Sequence, residues 1–197
     1  MAFVIAICGL SCAGKTTLAV RVARALGGER ICLDNYYFPT DPSSFASTNF
    51  DDPAMVNAAR AADDIRRLTQ GETIDGPIYD FTLCQTVGYL PLRPLPVIVV
   101  EGQYAALYPE IRKVADLAVL LDPDWHICLA RRVERDATVL ARPRDESRDR
   151  FEHDVLPSFN EHHLALVEHC DLILTDGDSA QWCEAVRVRF GEMTAEP

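Results

Sequence analysis

The stretch Gly9-Leu10-Ser11-Cys12-Ala13-Gly14-Lys15-Thr16-Thr17 constrains this chain more than any other. It satisfies the phosphate-loop pattern G-x-x-x-x-G-K-[ST] at every fixed position. Ahead of it, Phe3-Val4-Ile5-Ala6-Ile7-Cys8 is an unbroken apolar run, the signature of a buried parallel strand. Behind it, Leu18, Val22, Ala25 and Leu26 recur at helical spacing. A glycine loop between strand and helix gathers backbone N–H groups and the positive helix end at one point, which suits a phosphate chain. Gly9, Ser11, Cys12, Ala13, Gly14 and Thr17 are expected to form the cradle. Lys15 is expected to reach the β- and γ-phosphates, and Thr16 to hold Mg²⁺. Lys15 and Lys113 are the only lysines, every other basic residue being arginine, so a lysine at this position is not background.

Four more apolar runs read as strands: Arg30–Leu33, Val97–Val100, Leu117–Leu121 and Leu172–Leu174. Helical patterns lie between and after them: Ala54–Gln70 with a stripe of Met55, Ala58, Ala62, Ile65 and Leu68, then Trp125–Asp136, Leu156–Cys170 and Ala180–Phe190. Ala105–Val114 reads as partly helical and broken near Pro109. Phe38–Asp52 reads as a loop, and Ile78–Phe81 with Thr86–Leu90 as a hairpin. The expected fold is a single α/β domain over residues 1–197: a five-stranded parallel sheet with helices on both faces, an accessory β-hairpin and an arginine-rich helical lid. Within it, residues 34–90 would bind the acceptor and residues 131–150 would form the lid.

Ligands bind past the carboxyl ends of such strands. Three unusual residues fall there: Lys15 after the first strand, Asp34 after the second and Glu101 after Val97–Val100. Phosphoryl transfer needs charge neutralisation and a destination for the acceptor's proton. Asp34 is the candidate base, or a magnesium partner through water; its bland alternative is a turn aspartate. Glu101 is the candidate second carboxylate at Mg²⁺, or else a structural glutamate. Arginine then clusters: Arg131, Arg132 and Arg135 on one predicted helix, Arg142, Arg144, Arg148 and Arg150 beyond it. Guanidinium groups pair with phosphate bidentately, so the segment reads as a lid over the donor. A solvated, self-paired charged helix is the competing reading.

Composition narrows the partners. Among 197 residues the net charge is −11, which argues against a nucleic-acid or anionic-membrane surface. No eighteen-residue apolar stretch and no signal peptide is apparent. Seven cysteines show no C-x-x-C or zinc spacing and read as reduced thiols of a cytoplasmic protein. Cys12 lies inside the loop; His162, His163 and His169 lack ligand spacing, and Trp125 and Trp182 read as packing residues.

Beyond the glycine loop, Asp34-Asn35-Tyr36-Tyr37, Asn49-Phe50-Asp51-Asp52-Pro53, Pro77-Ile78-Tyr79-Asp80-Phe81, Val100-Glu101-Gly102 and Arg131-Arg132-x-x-Arg135-Asp136 occur in the order seen in uridine–cytidine kinases. The chain resembles that family from Phe3 to Leu174. The resemblance implies ATP-dependent phosphorylation of the 5′-hydroxyl of a pyrimidine ribonucleoside. It implies Asp34 as base, with Thr16, Asp34 and Glu101 around magnesium. Asp51 would hold the ribose hydroxyls, and Tyr37, Tyr79 and Phe81 would line the acceptor site. Arg132 and Arg135 would contact acceptor or phosphate, Arg135 also serving catalysis with Lys15, while Arg131, Arg142 and Arg144 would meet the ATP phosphates. Three positions after Phe81, where the family often carries histidine against the base, this chain has Cys84. The lid is also slightly longer than usual before Arg142 and Arg144. Family members are commonly oligomeric, which leaves a homo-oligomer open.

Two other readings compete. A kinase with the same core could act on another small alcohol, such as nicotinamide riboside, pantothenate or a sugar phosphate. A phosphorylated acceptor would need cations, and residues 34–90 offer only Arg60, Arg66 and Arg67 on an amphipathic helix. A non-catalytic nucleotide-binding regulator would not need Asp34, Asp51 and the arginines together.

Overall fold

A computed structural model describes residues 1–44 and 48–195 of the chain. Strand β1 (Phe3–Gly9) runs into the glycine loop and helix α1 (Lys15–Leu26), followed by β2 (Glu29–Cys32). Gly27, in the left-handed region at φ 64°, closes α1. Then come α2 (Ala58–Thr69) and an antiparallel hairpin, β3 (Ile74–Asp80) with β4 (Gln85–Leu92). Strand β5 (Val97–Glu101) leads to the short α3 (Pro109–Arg112), β6 (Leu117–Leu121) and α4 (Trp125–Val139). Next are α5 (Arg144–Arg150), α6 (Leu156–His169), β7 (Leu172–Leu174) and α7 (Ser179–Thr194).

The five-stranded sheet has the order β2-β5-β1-β6-β7, every pair parallel. Helices cover both faces, so β5 and β6 are buried at every position, as unbroken apolar strands require. Register aligns the strand ends: Ile7 and Cys32 both lie opposite Glu101, and Gly9 lies opposite Leu121. The loop, Glu101 and the turn after β2 therefore meet at one sheet edge.

Some expected boundaries move. The helix expected from Ala54 begins at Ala58, because two caps lie in series: Asp52 accepts from Ala54 N at 2.8 Å over a single 3₁₀ turn, and Asn57 accepts from Arg60 N at 3.0 Å at the helix proper. Met55 therefore leaves the predicted stripe. Pro109 starts α3 rather than breaking a helix, since proline fits a first helical position. The hairpin is longer at both strands than its apolar runs suggested. Helix α5 continues into α6 through a π-helical stretch, Phe151–Val155. Trp182 is buried as expected, whereas Trp125 is 36% exposed and lies flat on His126. The cysteines are all free thiols; Cys8, Cys84 and Cys128 are buried, and Cys8 Sγ lies 3.4 Å from Cys170 Sγ. No helix among the described residues is long and apolar enough to cross a membrane. The loop expected over Phe38–Asp52 includes residues 45–47, which lie outside the described residues.

Candidate active site

The glycine loop owes its shape to its ends. Gly9 has φ 143°, and a Cβ there would stand 2.3 Å from the Leu121 carbonyl oxygen. Gly14, at φ 112°, is the N-cap of α1, and no side chain caps the helix. The first turn of α1 also lacks an acidic residue, so its N–H groups and positive end face an anion without competition. Trp182 packs against Gly14 and donates from Nε1 to Asp176 O at 2.8 Å. Lys15 Nζ donates to Leu10 O at 3.0 Å, curled along the loop.

At the neighbouring strand end, Glu101 is 2% exposed and carries two contacts. Thr16 Oγ1 donates to Oε2 at 3.3 Å, and Arg30 Nη1 from β2 bonds Oε1 at 2.7 Å. Arg30 was not foreseen: its partner is known only once β2 lies beside β5. Asp34 sits in a 3₁₀ turn, Leu33–Tyr36, directly after β2. Gly102 lets that turn close on β5, since a Cβ at Gly102 would lie 2.7 Å from Leu33 Cβ. Although the Asp34 side chain meets the water of the cleft, protein on its other sides desolvates it. That burial pushes its carboxyl above the usual range; Glu101 and Asp51 add to the rise, while Lys15 and Arg135 oppose it.

The hairpin is tied to the same turn, because Tyr79 N donates to Asn35 Oδ1 at 3.2 Å. This places an aromatic group beside Asp34: Tyr37 lies 5.2 Å from Phe81 and 5.9 Å from Phe50, ring centre to ring centre. Asp51 faces Arg132 at 3.9 Å and is half-buried, its carboxyl raised by burial and drawn back by Arg132 and Lys15. Capping before Pro53 falls to Asp52, which leaves Asp51 for the cleft.

Helix α4 forms the opposite wall. Arg131 Nη1 reaches Ala13 O at 3.3 Å, and Arg132 Nη1 donates to Ser11 Oγ at 2.9 Å. Arg135 opens toward the cleft, and the chain then turns back at Ala141, in the left-handed region at φ 51°. Arg142 comes off that corner and also lines the cleft.

One cleft of about 1250 Å³ thus gathers Ser11, Cys12, Gly14, Lys15, Thr16 and Thr17 with Asp34, Glu101, Tyr37, Asp51 and Phe81. Arg131, Arg132, Arg135 and Arg142 complete it. Gly9 and Ala13 shape the loop from behind. Four expected contacts are corrected. Tyr79 is buried behind Phe81, with its hydroxyl on Phe38 O at 3.3 Å. Cys84 is buried and turned inward, its Sγ on Phe81 O at 3.3 Å. Arg144 is 58% exposed and paired with Glu134 at 2.8 Å, on the outside of the corner. Arg148 likewise points outward, 3.7 Å from Glu152. Arg150 of the expected lid lines the cleft, as do Phe50, Gln103 and Asp154, which had been assigned no part. The capping box Asp178…Gln181 beside Trp182 also reaches the cleft, and D-x-x-Q before an apolar helix is a legible signal. His163 pairs with Asp122 at 2.9 Å and His169 with Ala106 O at 3.3 Å, both away from the cleft.

The donor atoms around Thr16 are a hydroxyl and carboxylates, hard oxygens of the kind magnesium takes. Among the described residues no group of three His, Cys, Asp or Glu could hold a metal unaided.

A family model described as phosphoribulokinase/uridine kinase matches residues 4–180. Uridine-cytidine kinase B of Dictyostelium discoideum is 31% identical over 185 residues, 89% of this chain and 75% of that protein. Uridine kinase-like protein 4 of Arabidopsis thaliana is 28% identical over 181 residues, 89% of this chain, and the chain spans only 39% of its length. Among solved structures, a possible uridine kinase from Bacillus stearothermophilus shares the fold, with a TM-score of 0.60 at 16% identity over 88% of each chain.

Proposed function

The chain belongs to the phosphoribulokinase/uridine kinase family, and we propose that it transfers the γ-phosphoryl group of ATP to the 5′-hydroxyl of a nucleoside, uridine or cytidine foremost, giving the monophosphate and ADP. The observation that carries this reading is the single cleft. Its loop side suits a triphosphate, and its other side offers Asp34, Asp51, Tyr37 and Phe81 to an uncharged, hydroxyl-bearing ring. The acceptor region's own arginines stay out of it. Arg66 pairs with Asp63 at 2.8 Å, Arg67 with Glu72 at 2.9 Å, and Arg60 lies over Tyr89. A phosphorylated acceptor is disfavoured accordingly. The seven free thiols fit a reducing, cytoplasmic setting.

In the proposed reaction Lys15 and the loop N–H groups hold the β- and γ-phosphates. Asp34 takes the proton of the acceptor hydroxyl, whose oxygen forms the new P–O bond. The bond from the γ-phosphorus to the bridging oxygen breaks, and its electron pair leaves with ADP. Arg132 and Arg135 neutralise charge on the phosphoryl group in flight. Mg²⁺, when bound through Thr16 with Glu101 and Asp34 near it, offsets phosphate charge. Asp51 holds the ribose hydroxyls, and Tyr37 and Phe81 offer ring faces and edges to the base.

ADP release should be measured with Mg-ATP against uridine, cytidine, adenosine, nicotinamide riboside, pantothenate and ribulose 5-phosphate. Turnover of uridine or cytidine is expected, and failure of every nucleoside would remove the proposal. Cys84 turns away from the cleft, so uracil and cytosine are expected to be distinguished weakly. Asp51→Asn should raise KM for the nucleoside by about tenfold or more, the worth of one charged hydrogen bond, and leave KM for ATP nearly unchanged. Equal weakening of both substrates would place Asp51 elsewhere in the mechanism.

A further inference from the structure

We propose that Asp136 is a positioning residue for phosphoryl transfer, holding Arg132, Arg135 and Arg142 so that their remaining guanidinium edges face the γ-phosphoryl group. The inference rests on the kinase reading above. Asp136 lies near the end of α4, is 0% exposed and does not itself line the cleft. Its carboxylate is nevertheless the centre of the cationic wall. Oδ1 accepts from Arg135 Nε at 2.9 Å and from Nη2 at 2.7 Å. Oδ2 accepts from Ser147 Oγ at 2.8 Å and Arg142 Nη1 at 3.3 Å, and Arg132 Nε stands 3.6 Å away. The main-chain carbonyl of Asp136 also receives Leu140 N and Arg142 N, each at 3.1 Å, which folds the corner between α4 and α5.

Two physical consequences follow from this arrangement. Three guanidinium groups on one wall repel each other, and a buried anion between them lets them stand together. Asp51 at 3.9 Å from Arg132 and Glu146 at 3.4 Å from Arg142 meet the same cations at their margins, whereas among the described residues Asp136 alone touches all three and leaves Arg135 an edge free for a transferring phosphoryl group. Orientation follows as well. Arg135 gives its Nε–Nη2 edge to Asp136, which directs Nη1 away from it. Arg132 is held at Nη1 by Ser11 Oγ, and its Nε, buried without a hydrogen-bond partner, turns to the charge of Asp136 at 3.6 Å. Partners in the surroundings push the Asp136 carboxyl below the usual range in spite of its burial, Arg135 and Ser147 foremost, so the anion is the resident form.

The test is Asp136→Asn, which keeps the shape and removes the charge. Two quantities are read: kcat with the best acceptor, and the ratio of ADP to ATP dissociation constants by calorimetry without acceptor. The proposal expects kcat to fall on the order of 10–100-fold, less than loss of a direct oxyanion donor. It expects the preference for ATP over ADP to shrink severalfold while ADP affinity stays within about twofold. Arg135→Gln combined with Asp136→Asn should lose far less than the product of the two single losses, since one acts through the other. Ser147→Ala, a milder change that frees Oδ2, should lower kcat severalfold; it keeps the question answerable if Asp136→Asn does not fold. A structural role would lower the melting temperature, weaken ATP and ADP alike and multiply with Arg135→Gln. That pattern, or unchanged kcat in folded Ser147→Ala and Asp136→Asn protein, overturns the proposal. Because the ADP-to-ATP ratio needs no acceptor, failure of the nucleoside reading and failure of this one are told apart.

Discussion

Asp34→Asn is expected to lower kcat by about 10²–10⁴-fold, the usual contribution of a positioned general base, with ATP affinity near that of the unaltered protein. The amide keeps the shape of the 3₁₀ turn and cannot accept the hydroxyl proton. Single-turnover phosphorylation separates this step from product release, and near-normal turnover would remove Asp34 from the role. Acidity makes the prediction two-sided. Burial and the Glu101 charge raise the Asp34 carboxyl in the folded chain. A carboxyl with a raised folded value binds its proton more tightly in the folded than in the unfolded state. Its contribution to stability is therefore fully present below the ordinary carboxylate range and is lost as pH rises through the raised value. Above that raised value the ionised group works mildly against the fold, screened by the water of the cleft. Asp34→Asn should accordingly melt at the same temperature as the unaltered protein in acid and slightly higher once pH has risen through the raised value. Activity of the unaltered protein should have its acid limb above the ordinary aspartate range. A neutral-pH melting temperature below that of the unaltered protein would show that the turn depends on the carboxylate.

Gly9→Ala is expected to disrupt the fold and nucleotide binding together. The new Cβ would stand 2.3 Å from Leu121 O, a backbone atom of the paired strand β6, and φ 143° is itself strained for any residue with a side chain. Either β1 and β6 part at their ends or the loop rotates. Destabilisation of about 2–4 kcal/mol by urea unfolding is the expected size, with ATP affinity reduced in whatever protein folds. Gly191→Ala in α7, where a Cβ meets nothing within 4 Å, is the control and should be neutral or mildly stabilising. Equal stability of the Gly9 and Gly191 variants would mean that the strand ends yield readily.

Much of this was legible in the sequence for physical reasons. Buried parallel strands leave unbroken apolar runs, so β5 and β6 stand out, and the half-buried edge strand Leu172–Leu174 is still apolar enough to be read to the residue. The glycine loop announces itself because its backbone tolerates few residues at fixed places. Asp34 and Glu101 were singled out because carboxylates at apolar strand ends are conspicuous, and both line the cleft. What was missed depends on direction in space. Whether Tyr79, Phe81 or Cys84 faces the cleft is decided by hairpin register and by the bulge between Ile78 and Tyr79, neither of which a short polar–apolar pattern specifies. The corner at Ala141 carries no glycine or asparagine to mark its left-handed backbone. Asp136 was visible as the last residue of the Arg131-Arg132-x-x-Arg135-Asp136 run, with no part assigned to it, and its burial appears once α5 brings Ser147 against it. Arg30 gave no signal at all, since only the neighbouring strand shows that it meets Glu101.

Strands β2 and β5 are neighbours in the sheet, yet α2 and the hairpin are strung between them in the chain. The aspartates and aromatic rings proposed to recognise the acceptor thus enter as one excursion whose two ends are pinned side by side. The phosphate loop, Glu101 and the arginine wall all belong to the rest of the chain. Heredity can therefore rewrite the excursion for a new alcohol and leave the triphosphate machinery untouched. An engineer can do the same, keeping Asp34 and grafting residues 35–96 as a cassette between two fixed anchor points.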